Sequence, residues 1–281
     1  MQPEVARGYT GSFATSRFAM QLPLLHKTLE ECAFRALPAQ ETELFDGWVV
    51  RLAGGGPKRA NSINVLDASA LPLADKIAHC ERLFLERGIA PIFRLTQHEV
   101  DAGLDGLLEA RGYQRQDESI VMVRRLDGLD VKGGSCDWLE AEEWLSLLPQ
   151  IDQGTPERKR KHVELLRGLV QPALYGAASV AGQHVAMGLA VRDGVHAGLF
   201  DVATLPGARR SGHARALTLA LLQRAAELGA QQAYLQVVAQ NLAALSLYVS
   251  LGFEECYRYW YRVLPDAEHG KAAATLVQAG T

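Results

Sequence analysis

The sequence predicts an α/β chain of the α+β kind: two tandem domains, each a mixed, mostly antiparallel sheet flanked by helices. Three observations predict it. Strand-like alternating runs and helical 3.6-residue runs follow one another along the chain. A length of 281 residues is that of two ordinary domains. Helix-closing glycines recur at matching intervals, Gly88 and Gly112 in the first half, Gly229 and Gly252 in the second.

Composition bounds the function. With 48% hydrophobic and 22% charged residues the chain can bury two cores, which excludes wholesale disorder. A net charge of −3 offers a nucleic-acid backbone no global basic field. The longest uncharged apolar stretch, residues 170–191, is broken by Gln171, Pro172, Gln183 and His184, so no membrane-spanning helix is expected. Residues 1–20 carry Glu4, Arg7 and Arg17 and lack the compact apolar core of a secretion signal, so the cytoplasm is the expected compartment. Cys32, Cys80, Cys136 and Cys256 lie far apart with no CxxC pair, which argues against a zinc site or a disulfide framework.

Apolar residues at helical spacing (Leu24, Leu25, Leu29, Cys32, Ala33) predict an opening helix over 22–37, and a strand follows over 44–52. Gly54-Gly55-Gly56-Pro57 forces a turn before a short strand at 62–66. A helix over 73–87, a strand over 91–95, a helix over 100–111 and a strand over 120–123 complete the first half. Glycines and charges crowd 127–135, so we place a first domain at 1–127, a linker at 128–137, a second domain at 138–265 and a tail at 266–281. The second domain opens with helices over 138–148 and 156–169. Three strands follow, 173–180, 184–191 and 196–203; turns at Ala181-Gly182 and Asp193-Gly194 make them an antiparallel meander. A helix over 212–228, a strand over 233–238, a helix over 242–251 and a strand over 256–263 close it, in the order βββ-α-β-α-β.

The chemistry is concentrated in two segments. Val202 to Leu217 joins a strand to a helix, and Arg209, Gly212 and Ala214 spell R-x-x-G-x-A. The first N–H groups of a helix lack internal partners and carry partial positive charge, so small residues there make an anion cradle, with Arg209, Arg210 and Arg215 available for charge-assisted contacts. An ordinary strand-to-helix turn with a solvated basic face would carry the same residues. The second segment, 27 residues beyond Ala214, reads N-x-x-A-x-x-L-Y-x-x-x-G-F from Asn241 through Tyr248 and Gly252 to Phe253. Together the two segments, across residues 172–264, resemble the GNAT superfamily of acyl-CoA-dependent N-acetyltransferases.

That resemblance implies a tandem GNAT-like enzyme moving an acetyl group from acetyl-CoA to a primary amine of a small molecule or peptide by direct attack. It implies that Arg209, Arg210, Ser211, Gly212, His213, Ala214 and Arg215 hold the CoA pyrophosphate, that Val202, Ala203 and Thr204 pair the pantetheine arm, and that Asn241 contacts the same arm. It also gives Tyr248 the general-acid role; a phenol of pKa about 10 can protonate a departing thiolate. Arg210 and Ala214 stand where glycine is more frequent, and neither removes a backbone donor. Asn241 is also a natural helix N-cap, and a core tyrosine on an amphipathic helix is the lesser reading of Tyr248. A general base is needed to free the amine, and Asp201 is the first candidate, although strand alternation sets it on the face opposite Phe200 and Val202. His196, then Glu254 or Glu255, follow.

In the first half the positions matching Gly212 and Tyr248 are Leu71 and Leu108, so that half reads as a degenerate copy able to wall the acceptor pocket. The segment 54–59 lacks the helix that a phosphate-binding loop requires and reads as a turn. Trp48, Arg59 and Asn61 could line the substrate site, with Trp48 better suited to the core. A non-catalytic acyl-CoA sensor is the alternative function. Polyamines, aminoglycosides, amino acids and protein N-termini all remain open as acceptors, and so does oligomeric state.

Overall fold

The computed structural model describes residues 17–265 apart from 99, 129–133 and 152–153, with side chains from residue 24 onward. The expected tail, most of the linker and the chain before residue 17 lie outside the described residues.

The first half runs α1 (Arg17–Ala36), β1 (Glu41–Phe45), β2 (Trp48–Leu52), β3 (Ser62–Val65), α2 (Leu73–Glu86), β4 (Ile92–Thr96), α3 (Leu104–Ala110) and β5 (Gln114–Arg125). The second runs β6 (Asp137–Trp138), α4 (Ala141–Ile151), α5 (Pro156–Arg167), β7 (Ala173–Val180), β8 (Gln183–Asp193), β9 (His196–Thr204), α6 (His213–Glu227), β10 (Gln232–Val238), α7 (Leu242–Ser250) and β11 (Glu254–Val263).

Three elements differ from the sequence expectation. The single strand over 44–52 is a hairpin, because Asp46 (φ 45°) and Gly47 (φ 82°) both take the left-handed conformation of a two-residue hairpin turn. A side chain at Gly47 would put its Cβ 2.6 Å from the Asp67 carbonyl oxygen. Trp138 ends the short strand β6 instead of starting a helix, and it pairs with Gly176. β5 extends over twelve residues where four were expected, since the polar residues Gln114 to Glu118 conceal its first half.

All eleven strands form one sheet, in the order β1-β2-β3-β4-β11-β5-β10-β9-β8-β7-β6. The halves have exchanged their last strands. β5 of the first half pairs antiparallel with β10 of the second, and β11 of the second pairs antiparallel with both β4 and β5. One core cluster lies within the first half around Trp48, Phe84 and Phe93, and another lies under α6 and α7 around Leu217, Leu221 and Tyr248. A third draws on both halves through Leu29, Trp144, Phe200 and Tyr257.

A buried ionic contact crosses the same seam. Glu30 of α1 takes two hydrogen bonds from Arg94 of β4 and one of 2.5 Å from the Tyr257 hydroxyl of β11. Burial opposes ionisation of Glu30, but the charge and hydrogen bonds of Arg94 outweigh it and hold the carboxyl below the usual range.

The meander β7-β8-β9 has the expected antiparallel pairing. Gly176 and Gly188 sit opposite each other across β7 and β8, beneath Leu217 and Leu221 of α6. Their missing side chains let α6 lie close on the sheet.

Candidate active site

β9 and β10 are parallel neighbours only from His196/Gln232 to Leu199/Leu235. Beyond that point β10 continues along β5 and β9 continues along β8, so the two strands diverge. Among the described residues no strand pairs the β10-facing edge of Val202, Ala203 and Thr204, and their backbone polar groups on that side face the wedge.

Within this stretch β9 carries a bulge. Phe200 faces Leu189 and Ala203 faces Met187, so Asp201 and Val202 together oppose the single residue Gly188. Asp201 has φ 51°, a left-handed conformation that Asp tolerates better than most residues. The bulge overturns half of the alternation argument: Asp201 reaches His162 of α5 on the face where Phe200 packs against Leu165 and Leu166, while Val202 stays on the α6 face, its Cγ2 3.2 Å from where a Cβ on Gly188 would lie. Asp201, Val202 and Ala203 all line one cavity of about 620 Å³.

The other walls of that cavity come from far along the chain. His162 of α5, 4% exposed, places Nε2 3.4 Å from Asp201 Oδ2. The turn after Gly56 contributes Lys58 and Arg59, β5 contributes Asp117 and Ser119, and β11 contributes Tyr259 and Tyr261. Lys58 Nζ lies 2.9 Å from Asp117 and 3.0 Å from Gln116. The exchanged strands therefore bring first-half residues to the end of the second-half wedge.

Sequence reasoning missed His162. The available signal was the burial stripe of α5, in which His162, Leu165 and Leu166 share one face. The signal for Asp117, Ser119, Tyr259 and Tyr261 is absent from local sequence, because strand exchange alone brings them here.

The cradle segment joins this wedge to α6. After Thr204 a single 3-10 turn, Pro206–Ala208, leads to Arg209, whose Nε donates to the Thr204 carbonyl at 3.3 Å. Arg210 (φ 67°) and Gly212 (φ 81°) turn the chain into α6. No side chain caps the start of α6 and no acidic residue lies in its first turn. Arg209, Arg210 and Ser211 are exposed, and His213 and Ala214 are half-buried. Arg215 points elsewhere, with Nη1 3.1 Å from Ser250 Oγ in the last turn of α7.

The corresponding place in the first half is closed. The amides of Ala70 and Leu71, just before α2, donate to the Asp46 carboxylate at 2.9–3.1 Å, and Lys76 of α2 pairs with that carboxylate at 3.3 Å. The protein's own carboxylate thus takes the amides that lead into α2. Asp101 fills the adjacent space, accepting from Trp48 Nε1 at 2.6 Å and from the Ser69 amide at 2.9 Å. Leu108, the counterpart of Tyr248, is fully buried.

Asn241 caps α7, its Oδ1 accepting from the Ala244 amide at 3.2 Å. Tyr248 lies on α7 in edge contact with Phe253, ring centroids 5.8 Å apart. Burial pushes its phenol up to about 12, and its hydroxyl makes no hydrogen bond with any described residue.

The remaining base candidates lie away from the cavity. His196 is at the opposite end of β9 beside Gln232, its pKa lowered by burial. Glu255 pairs with Arg258 at 2.7 Å, and Glu254 is exposed at the start of β11. Trp48 is core, and Asn61 Oδ1 accepts from the Ala53 amide at 3.0 Å, so of the three proposed first-half lining residues the cavity takes only Arg59. The four cysteines are free thiols, and the described residues hold no cluster fit to bind a metal. No described helix is long and apolar enough to cross a membrane.

With this geometry in place, the chain matches over residues 26–262 the family described as "Probable histone acetyltransferase Rv0428c C-terminal". The chain belongs to that family. It is a GNAT-type acyl-CoA-dependent N-acyltransferase. The uncharacterized N-acetyltransferase YobR of Bacillus subtilis (strain 168) is 24% identical over 245 residues, covering 84% of this chain and 98% of that one. A GCN5-related N-acetyltransferase from Kribbella flavida has the same fold, with a TM-score of 0.62 at 15% identity over 85% of this chain and 95% of that one. A tandem GNAT protein from the clavulanic acid biosynthesis pathway superposes with a TM-score of 0.51 at 14% identity, over 83% and 86% of the chains.

Proposed function

We propose that this enzyme moves an acetyl group from acetyl-CoA to a primary amine of a small molecule or peptide, in a single active site in its second half. The observation that carries this reading is a coincidence of place. The open wedge of β9 and β10, the uncapped start of α6 and the cavity holding Asp201 and His162 all meet at the end of β9.

The free amides at the start of α6 bind the pyrophosphate, helped by Arg209 and Arg210. The exposed edge of β9 at Val202 to Thr204 pairs the pantetheine arm as an added strand would, and the Asn241 NH2 group approaches it from the other side. A backbone N–H at the bulge polarises the thioester carbonyl; losing such a donor costs other enzymes about 2.7–4 kcal/mol. Asp201 takes the proton from the incoming ammonium, and His162 beside it stabilises the carboxylate and shares the proton. The free amine attacks the carbonyl carbon, the C–S bond breaks as Tyr248 donates a hydrogen bond to the departing sulfur, and the proton released by the nitrogen as it becomes an amide ends on the thiolate.

Two measurements test this reading. Titration calorimetry should register CoA binding, and thiol release from acetyl-CoA should depend on an added amine. A protein that binds no CoA at millimolar concentration would end it.

A further inference from the structure

The acceptor cavity is electrostatically lopsided. Of its cations, Lys58 is matched by Asp117 at 2.9 Å, and Arg158 stands exposed at the rim. Arg59 differs from both. It is half-buried, its guanidinium lies 5.5 Å above the Phe200 ring, and among the described residues it donates no side-chain hydrogen bond and faces no carboxylate.

The wall behind it adds to the imbalance. Arg51, 2% exposed, gives its guanidinium to the carbonyls of Phe34, Leu37 and Arg59 and touches no carboxylate. Burial first, then the neighbouring charges of Arg94 and Arg59, brings its pKa down to about 9. Among the described residues Glu30 is the one carboxylate bonded there, and Arg94 already holds it. An anion at Arg59 would relieve this excess of positive charge, while the Asp201 carboxylate lining the same cavity suits an ammonium.

We infer that the acceptor is an amino-carboxylate, a small molecule with its reacting amine near a free carboxylate, and that Arg59 binds that carboxylate while the amine faces Asp201. This rests on the acyl-transfer reading and narrows its acceptor. It also gives the first half a function: the turn at residues 54–57, which sets Arg59 over β9, belongs to the half whose own cofactor site is closed by Asp46 and Asp101. Tyr259 and Tyr261 add an amphipathic surface to the lining of the same cavity.

The test compares amino acids with their carboxamides as acceptors, in thiol release from acetyl-CoA, for the wild type, Arg59→Met and Arg59→Lys. CoA affinity is measured alongside as a control for folding. The wild type should prefer the free acid by at least about tenfold in kcat/KM, the scale of one charge-assisted hydrogen bond. Arg59→Met should lose that preference through the acceptor KM, and Arg59→Lys should keep part of it. Equal use of acid and amide, a preference that survives Arg59→Met, or CoA binding with turnover only of amines lacking an acid group would overturn this inference and leave acyl transfer standing. CoA binding with no turnover of any amino-carboxylate counts against it in the same way. Absence of CoA binding would remove both.

Discussion

Replacing Tyr248 by Phe removes one oxygen from a position whose environment gives its role a magnitude. Burial raises the phenol to about 12, whereas a simple thiol lies near about 8.5. Complete proton transfer from Tyr248 to a free thiolate is therefore uphill. Tyr248 then acts mainly as a hydrogen-bond donor to the sulfur as charge builds up, not as a fully dissociating acid. A hydrogen bond to a charged group contributes about 1.5–3 kcal/mol, which predicts a fall in kcat of about 10- to 150-fold. Because the hydroxyl bonds to no described residue, its removal should leave the melting temperature and CoA affinity close to wild type. The assay is amine-dependent thiol release under saturating acetyl-CoA, with CoA affinity taken from calorimetry. A Tyr248→Phe enzyme with kcat within twofold of wild type would refute the assignment. An alkaline loss of wild-type activity traced to Tyr248 well below pH 12 would instead contradict the raised phenol pKa.

Three further outcomes are expected. Gly212→Glu puts a side chain at φ 81° and a negative charge at the start of α6, and should weaken CoA binding by at least tenfold; unchanged calorimetric affinity would rule out the cradle. Asp201→Asn should lower kcat/KM by about a hundredfold or more at neutral pH, with a deficit that narrows as rising pH delivers more amine already deprotonated; a deficit constant with pH would mean that Asp201 only shapes the bulge. Glu30→Gln leaves the Arg94 charge buried without its partner and should destabilise the fold by about 3–5 kcal/mol in chemical denaturation. Since the folded pKa of Glu30 is depressed, its contribution is complete above the unfolded value near about 4.3 and is lost as pH falls through the lower folded value. The gap between wild type and variant should therefore close in acid, and one that widens there would contradict the ionic account.

Much of the candidate site was legible because its signals are local. The start of α6 is announced by Arg209, Gly212 and Ala214, and α7 by the Asn241 cap and the closing Gly252. Asp193-Gly194 marked the hairpin between β8 and β9, and the same pair at Asp46-Gly47 went unread inside an apolar run. The bulge at Asp201 was not legible, since strand periodicity assumes a regular ladder and a bulge is defined by the partner strand. His162 was hidden for a related reason: a histidine on a helix face gains chemical meaning only when a carboxylate is placed against it.

The sequence by itself determined the succession of most helices and strands, which helix opens without a cap, and which phenol and carboxylate are available. Those properties depend on the conformational preferences of a few neighbouring residues. Only the tertiary structure decided that β5 and β11 change places, that β9 leaves β10 after Leu199, and that Arg59 and Asp201 face one cavity. Strand order and register are chosen by comparing the burial and hydrogen bonding of whole sheets, between residues more than a hundred positions apart, and no local pattern encodes that comparison.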